Sequence, residues 1–357
     1  PLLPRITETL RFSRAGIGLA LTVFGVVYAL TQYPSGRYSD ALTRSTVILP
    51  GFVVLLAGFV AVGFSVSRTA FVIAMVVLGV GKGLYAIPSR ALLGDLFTSR
   101  RGRALGIYSA GTDVGGLIAA GVAVVVLATT VWRAAFVPVV AVLGAVTLLF
   151  AVWNRQPYEL SSVRLSPGET VGRIAASRGQ RETLVAFSLF YFFVGGLTNF
   201  FPSLLVAGGL SETVAGAGFA LLFGVGAVTK PVAGEVSDRF PRHLVATAGL
   251  LTAAAGLSAV LLAPNLGVVA LGTVLTAVGY KTQFPISDSL VMDAASDADM
   301  GGDLGASRAV FLTANALGPG VVGVIADLAD YETAFWVLVA SVLVSAAILG
   351  RRHMTEP

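Results

Sequence analysis

Gly36-Arg37-Tyr38-Ser39-Asp40-Ala41-Leu42-Thr43-Arg44 returns 198 residues later as Gly234-Glu235-Val236-Ser237-Asp238-Arg239-Phe240-Pro241-Arg242. Each copy sets a glycine, a Ser-Asp pair and an arginine between two long apolar runs. That context reads as a duplicated membrane domain, each copy carrying a tight, charged loop at the lipid surface. The same offset lays Pro4 on Pro202 and Gly81 on Gly279, so the repeat extends beyond the motif.

Hydrophobic residues make up 55% of the whole 357-residue chain and charged residues 12%. Apolar runs of roughly 18 to 25 residues recur throughout, each long enough to cross about 30 Å of hydrocarbon. A soluble protein of this length would show amphipathic periods, not helices apolar on nearly every face. The chain has no cysteine, which removes disulfides and thiolate chemistry. Its net charge of +5 comes from arginines scattered through short loops, where orientation signals belong, and no nucleic-acid partner is expected.

The runs fall near residues 15–33, 46–66, 69–93, 103–127 and 132–153, then 183–207, 212–233, 244–263, 266–291, 304–328 and 334–349. Carried backward, the repeat places the partner of residues 183–207 mostly before residue 1. The first half is therefore expected to lack its first helix except for last turns at residues 1–6. The expected fold is an all-α membrane protein of two pseudo-symmetric six-helix halves, with about 11 spans present. The halves are residues 1–153 and 183–357, joined by a polar linker at 154–182. Within it Ser166-Pro167-Gly168-Glu169 reads as a capping box opening a short surface helix to about residue 177.

Placing both motif loops inside puts sixteen of the twenty-one arginines on the cytoplasmic face, including Arg100, Arg101, Arg103, Arg155 and Arg173. The linker and C-terminus are then cytoplasmic, in a multi-pass protein of the cell membrane.

Two six-helix halves, a cytoplasmic linker and G-x-x-S-D-x-x-x-R after the second helix of each half resemble the major facilitator superfamily of secondary transporters. Arg100-Arg101-Gly102-Arg103-Ala104-Leu105-Gly106 resembles that family's fifth-helix start, and Trp132-Arg133 its next connector. The resemblance implies a central cavity, alternately open to each side and lined mainly by the first and fourth helices of each half. It also implies that each repeated loop meets the opposite half, and that the fifth and eighth helices face one another. Departures are Ala41 and Thr43, where the family usually has Arg and Gly, and Pro241 at the glycine position. The run Gly111-Thr112-Asp113-Val114-Gly115-Gly116 lacks the family's antiporter Gly-Pro pair.

The three lysines, Lys82, Lys230 and Lys281, all fall inside predicted spans. A charge near mid-membrane costs ~2.5 kcal/mol or more facing lipid, so Lys82 and Lys281 are expected to face an aqueous site and accept an anion. The alternative is a structural lysine paired with a neighbouring carboxylate. Lys230 either snorkels toward the cytoplasm or pairs with Asp113 across the helix interface. Tyr28, Gln32, Tyr85, Asn199, Tyr280, Gln283 and Asn315 lie near the same level, as solute contacts or as helix-packing groups.

At the cytoplasmic end Gly36, Asp40, Arg44, Gly234, Asp238, Arg239 and Arg242 form the gate motif. Arg37 or Arg44 is expected near residues 297–303, and Glu235 or Asp238 near residues 100–103. Asp40 and Asp238 also suit the N-termini of the eleventh and fifth helices. The alternative is a set of solvated faces.

No enzyme constellation is present. His243 and His353 lie in a loop and a tail, Gly79-Val80-Gly81-Lys82-Gly83 lacks the P-loop pattern, and no cofactor or metal is expected. The expected function is proton-coupled secondary transport of a small anionic or carboxylate-bearing solute, by a monomer in the lipid bilayer. One alternative is a drug or neutral/cationic metabolite antiporter working through Asp113. Another is a non-transporting receptor or scaffold on the same fold.

Overall fold

The computed structural model describes residues 3–12, 14–129, 132–159, 161–296 and 298–355. Among them there is no strand. The helices in chain order are α1 (Leu3–Thr9), α2 (Arg14–Ala41), α3 (Arg44–Gly63), α4 (Arg68–Leu96), α5 (Arg101–Thr129), α6 (Phe136–Trp153) and α7 (Pro167–Ala176). They continue with α8 (Arg178–Ala207), α9 (Glu212–Arg239), α10 (Arg242–Leu261), α11 (Leu266–Ala294), α12 (Met300–Leu328) and α13 (Tyr331–Thr355). Eight are long and apolar enough to cross a membrane.

Local chemistry explains the breaks. Thr43, Ser177 and Ser211 cap α3, α8 and α9 by accepting from Thr46, Gln180 and Val214 N–H, while Asp330 accepts from Thr333 N–H at 2.7 Å before α13. Pro34, Pro50, Pro88, Pro202, Pro231, Pro285 and Pro319 lie inside helices, where each removes a main-chain hydrogen bond and permits a bend.

The motif loops are not loops for most of their length. Residues 36–41 are the last turns of α2, and α9 runs through Arg239; the chain breaks only at residues 42–43 and 240–241. Within these turns Ser39 Oγ donates to Gly36 O at 2.9 Å and Ser237 Oγ to Gly234 O at 2.8 Å, so the serines bond back into the helix, while the Asp40–Arg44 and Asp238–Arg242 pairs bridge each break. Likewise α8 begins at Arg178, five residues before the apolar run starts, because Ser177 caps it and Arg178 pairs with Glu182 at 2.9 Å.

Packing divides the chain into two compact units. One comprises Pro1–Leu92, Gly115–Thr170 and Ala295–Ala309, and the other Leu93–Val114, Val171–Ala294 and Val310–Pro357. The division interleaves because the first half of α5 packs on α9 and the first turns of α12 pack on α2, at glycine crossings described below.

The first unit has an apolar core of Ile6, Leu10, Ile17, Phe71, Leu78 and Trp132. Arg133 stacks on Trp132 and donates to the Ser65 carbonyl at 2.8 Å, closing the α5–α6 connector onto α3. The start of the linker is fastened to the same unit: Thr43 Oγ1 donates to Pro157 O at 2.8 Å, Ser45 Oγ to Asn154 Oδ1 at 2.6 Å, and Glu159 N to Thr46 Oγ1 at 3.0 Å. The second unit is centred on stacked and edge-on rings of Phe187, Phe190, Tyr191, Phe284 and Phe311.

Candidate functional site

At the motif end of α2, Gly36 crosses α12 so closely that a Cβ on it would overlap the Gly301 carbonyl. The approach brings the Asp40 carboxylate onto the first free amides of α12, with Gly301 N–H donating at 2.8 Å and Gly302 N–H at 2.7 Å. A helix N-terminus presents unpaired N–H groups and partial positive charge, so one carboxylate satisfies two donors. Arg44 holds Asp40 from the other side at 2.5 Å and reaches Ser39 Oγ at 3.1 Å. Arg37 pairs with Asp299 at 2.7 Å; Asp297 lies outside the described residues.

The second copy repeats the arrangement on other elements. Gly234 crosses Gly102 just as closely, and Asp238 accepts from Gly102 N–H and Arg103 N–H at 2.8 Å each. Arg242 supports Asp238 at 3.4 Å and also pairs with Asp293, which Arg101 meets at 3.0 Å. Glu235 and Arg239 are spent on each other along α9, so the contact to α5 is made by Asp238 alone of the expected pair.

A different charge cluster lies deep in the second unit. Gly106, Ser109 and Asp113 follow at i, i+3 and i+7 on α5 and share its buried face. At Gly106 the α5 backbone touches the Lys230 main chain, which sets the Lys230 side chain beside the next two turns. Lys230 Nζ stands 2.6 Å from Asp113 Oδ2 and donates to Ser109 O and Thr112 Oγ1 at 3.1 Å each. The Asp113 contact is short but poorly directed, leaving Oδ2 without an aligned hydrogen bond. Lys230 does not snorkel: it is 3% exposed, because the ion pair and two oxygen acceptors hold it inward.

Lys281, adjacent to the centre of α11, donates to the other oxygen of the same carboxylate, Asp113 Oδ1, at 2.7 Å. Its ammonium also lies over the rings of Phe223 at 4.3 Å and Tyr280 at 4.9 Å. Gly226 makes the room, since a Cβ there would come within 2.8 Å of the Lys281 stem and 2.9 Å of Asp113 Oδ2. One carboxylate thus serves two buried ammonium groups.

Lys82 has a different setting. It is the central residue of α4, yet it is exposed. It lies half a turn around the helix from the exposed apolar Ile73, away from that stripe. Its ammonium sits over the Tyr28 ring at 4.5 Å and the Phe24 ring at 5.2 Å, and among the described residues it has no carboxylate partner.

The remaining expected residues divide by chemistry. Tyr28 belongs to the Lys82 setting, and Tyr85 packs its ring on Phe52 at 4.9 Å one turn further along α4. Tyr280 is buried beside Lys281, its hydroxyl without a hydrogen bond among the described residues. The amides are turned to main chain: Gln32 Nε2 donates to Tyr28 O at 3.0 Å, Asn199 Nδ2 to Gly195 O at 2.8 Å, Asn315 Nδ2 to Tyr191 O at 3.1 Å, and Gln283 Nε2 to Ala246 O at 3.1 Å. Sequence reasoning missed the second halves of the gate contacts, Gly301 and Gly302; the repeat offset plus one residue, carried from Gly102, leads to them.

Long apolar helices, crossings capped by carboxylates and charge buried among the helices define a multi-pass helical membrane protein; the described residues hold no group of metal ligands. The profile of the Major Facilitator Superfamily matches residues 1–210 and 183–356, and the chain belongs to that family. It is similar to a crystal structure of the facilitator-family transporter FucP in the outward conformation, at TM-score 0.81 and 18% identity, covering 98% of this chain and 93% of that one. It also resembles the crystal structure of the human organic anion transporter MFSD10, at TM-score 0.74 and 21% identity, covering 93% of this chain and 83% of that one. Among curated proteins it is 31% identical over 146 residues to a probable sulfoacetate transporter of Cupriavidus necator. It is 31% identical over 140 residues to a probable 4-methylmuconolactone transporter of Cupriavidus pinatubonensis. Those matches take in 41% and 38% of this chain and 33% of each relative's length.

Proposed function

We propose that the chain is a secondary active transporter that moves small, carboxylate-bearing anions across the cell membrane by alternating access, with proton coupling. The observation that carries this is Lys82, a central, accessible ammonium flanked by two aromatic faces and, among the described residues, lacking a carboxylate partner. A charge so placed is tolerated in a water-filled cavity and favours an anion there. The curated relatives named for sulfoacetate and 4-methylmuconolactone support the same class.

In this reading the halves at residues 1–153 and 183–357 rock about a site near the middle of about 11 spans, in a monomer, with the linker and C-terminus cytoplasmic. The Asp40 and Asp238 caps serve as the cytoplasmic gate, made and broken by carboxylate-to-amide bonds. Tyr28 and Tyr85 contribute solute contacts beside Lys82, and Lys281 and Tyr280 are further solute contacts. The amides of Gln32, Asn199, Gln283 and Asn315 act in helix packing. Asp113, clamped between two ammonium groups, is not open to a cationic solute, which weighs against the drug-antiporter alternative.

The test is flux in proteoliposomes. Uptake of radiolabelled malonate or acetate, faster with an imposed proton gradient and absent for a neutral sugar, is expected; no anion flux in any orientation would leave the receptor or scaffold reading in its place.

A further inference from the structure

Lys230 and Lys281 share Asp113 but are not held equally. An ammonium group has three N–H donors and no acceptor. Lys230 donates to two α5 oxygens, Ser109 O and Thr112 Oγ1, stands 2.6 Å from a third, Asp113 Oδ2, without an aligned bond to it, and lies over the Phe284 ring at 4.8 Å. Lys281 has one oxygen among the described residues, Asp113 Oδ1, and otherwise faces the rings of Phe223 and Tyr280. Ring faces favour the charge without fixing its position, so another anion can draw it away. Beside it, the Tyr280 hydroxyl is 1% exposed and has no acceptor among the described residues. A buried donor left unsatisfied is costly, and a second carboxylate would give it a partner.

The repeat supplies an independent comparison. Lys82 lies over Phe24, and Lys281 over Phe223; both members of the couple recur 199 residues on. The couple is alike in kind, an α2 or α9 phenylalanine beneath an α4 or α11 lysine, one residue out of the 198-residue register that lays Gly81 on Gly279. One copy carries a carboxylate from the protein and the other, among the described residues, carries none.

We infer that Lys281 is an exchangeable cation: Asp113 holds it in the empty protein as a resident stand-in for solute, and a solute carboxylate takes it over on loading, while Lys230 stays anchored to α5. No covalent step is involved; one ion pair replaces another. The two ammonium groups outnumber the one carboxylate, so the cluster accepts an added anion without stranding Asp113, which keeps Lys230. This deepens the anion-transport reading above and rests on it.

The experiment is a calorimetric titration of the purified full chain with acetate and with malonate. Asp113→Asn frees Lys281 and is expected to tighten anion binding about tenfold or more, the worth of a close charge pair released to the ligand. Asp113→Asn/Lys230→Met does the same while keeping the formal charge of the cluster unchanged, so the test survives if the single variant does not fold. Adding Lys281→Met to either background should abolish the gain. Affinity unchanged in Asp113→Asn/Lys230→Met, with Lys82→Met still weakening it, overturns this inference and leaves the anion reading standing. Binding indifferent to Lys82→Met overturns both.

Discussion

Gly234 lies against Gly102 with no room for a side chain: a Cβ on Gly234 would run into the Gly102 carbonyl. That clearance is what lets Asp238 reach two amides at the start of α5, and Gly36 and Gly301 do the same for Asp40 and α12. The obstructing atoms are backbone, so neither side can yield without moving a helix. Gly234→Ala and Gly36→Ala are expected to destabilise the protein by ~1 to 3 kcal/mol, as overpacking does. Gly216→Ala, with open space around it, is the control. Melting temperatures in detergent that drop for the first two and hold for the third are the expected result.

Removing the caps without adding bulk separates charge from sterics. Asp238→Asn keeps the shape but replaces one accepting oxygen by an amide donor, losing one of the two charge-assisted bonds and weakening the other, and a lost cap is worth ~1 kcal/mol. Its main effect is expected on the conformational balance, favouring states in which α9 and α5 part. Spin-label distances between the motif ends of those helices should lengthen and broaden, more so in Asp238→Arg. Identical distance distributions in wild type and Asp238→Arg would remove the gate assignment.

The buried triad makes an ordered prediction. Lys230→Met or Lys281→Met leaves one ammonium on one carboxylate, whereas Asp113→Asn strands two buried cations. Breaking a buried pair by removing one partner costs ~3 to 5 kcal/mol. Asp113→Asn should therefore be the least stable single variant, and adding Lys230→Met should restore part of the loss. Equal melting temperatures across the series would show that the triad is not an ion-paired unit.

The linker makes a prediction about proteolysis. Ser45 Oγ reaches Asn154 Oδ1 and Gln156 Oε1, and Thr43 and Thr46 hold the backbone around them. Ser45→Ala with Thr43→Val removes several of these bonds at ~1 kcal/mol each. Tryptic cleavage after Arg155 is expected to rise about tenfold, in proportion to the opened population.

Much of this was legible in the residues. Long apolar runs give the helices, and the recurrence of Gly36 and Asp40 as Gly234 and Asp238 gives the repeat and the caps. The helical state of residues 36–41 was not legible, because Ser, Asp and Gly so close together imitate turn chemistry, while Ser39 here bonds back to Gly36 O within the helix. The sharing of Asp113 was only half legible. Its pairing with Lys230 follows from facing helices, but Lys281 reaches it because Gly226 leaves a gap, and a gap between three helices has no signature in one sequence. The destination of the polar amides was not legible for a related reason: Gln283 and Asn315 donate to main-chain carbonyls on neighbouring helices, partners set by packing alone.

The central claim is that Lys82 recognises the anion. It is tested most directly by titrating acetate and malonate into wild-type, Lys82→Met and Lys82→Arg proteins and following the heat of binding. The account predicts affinity about tenfold or more weaker in Lys82→Met, partly recovered in Lys82→Arg because the charge over Phe24 and Tyr28 is kept. Equal affinity in wild type and Lys82→Met would contradict it.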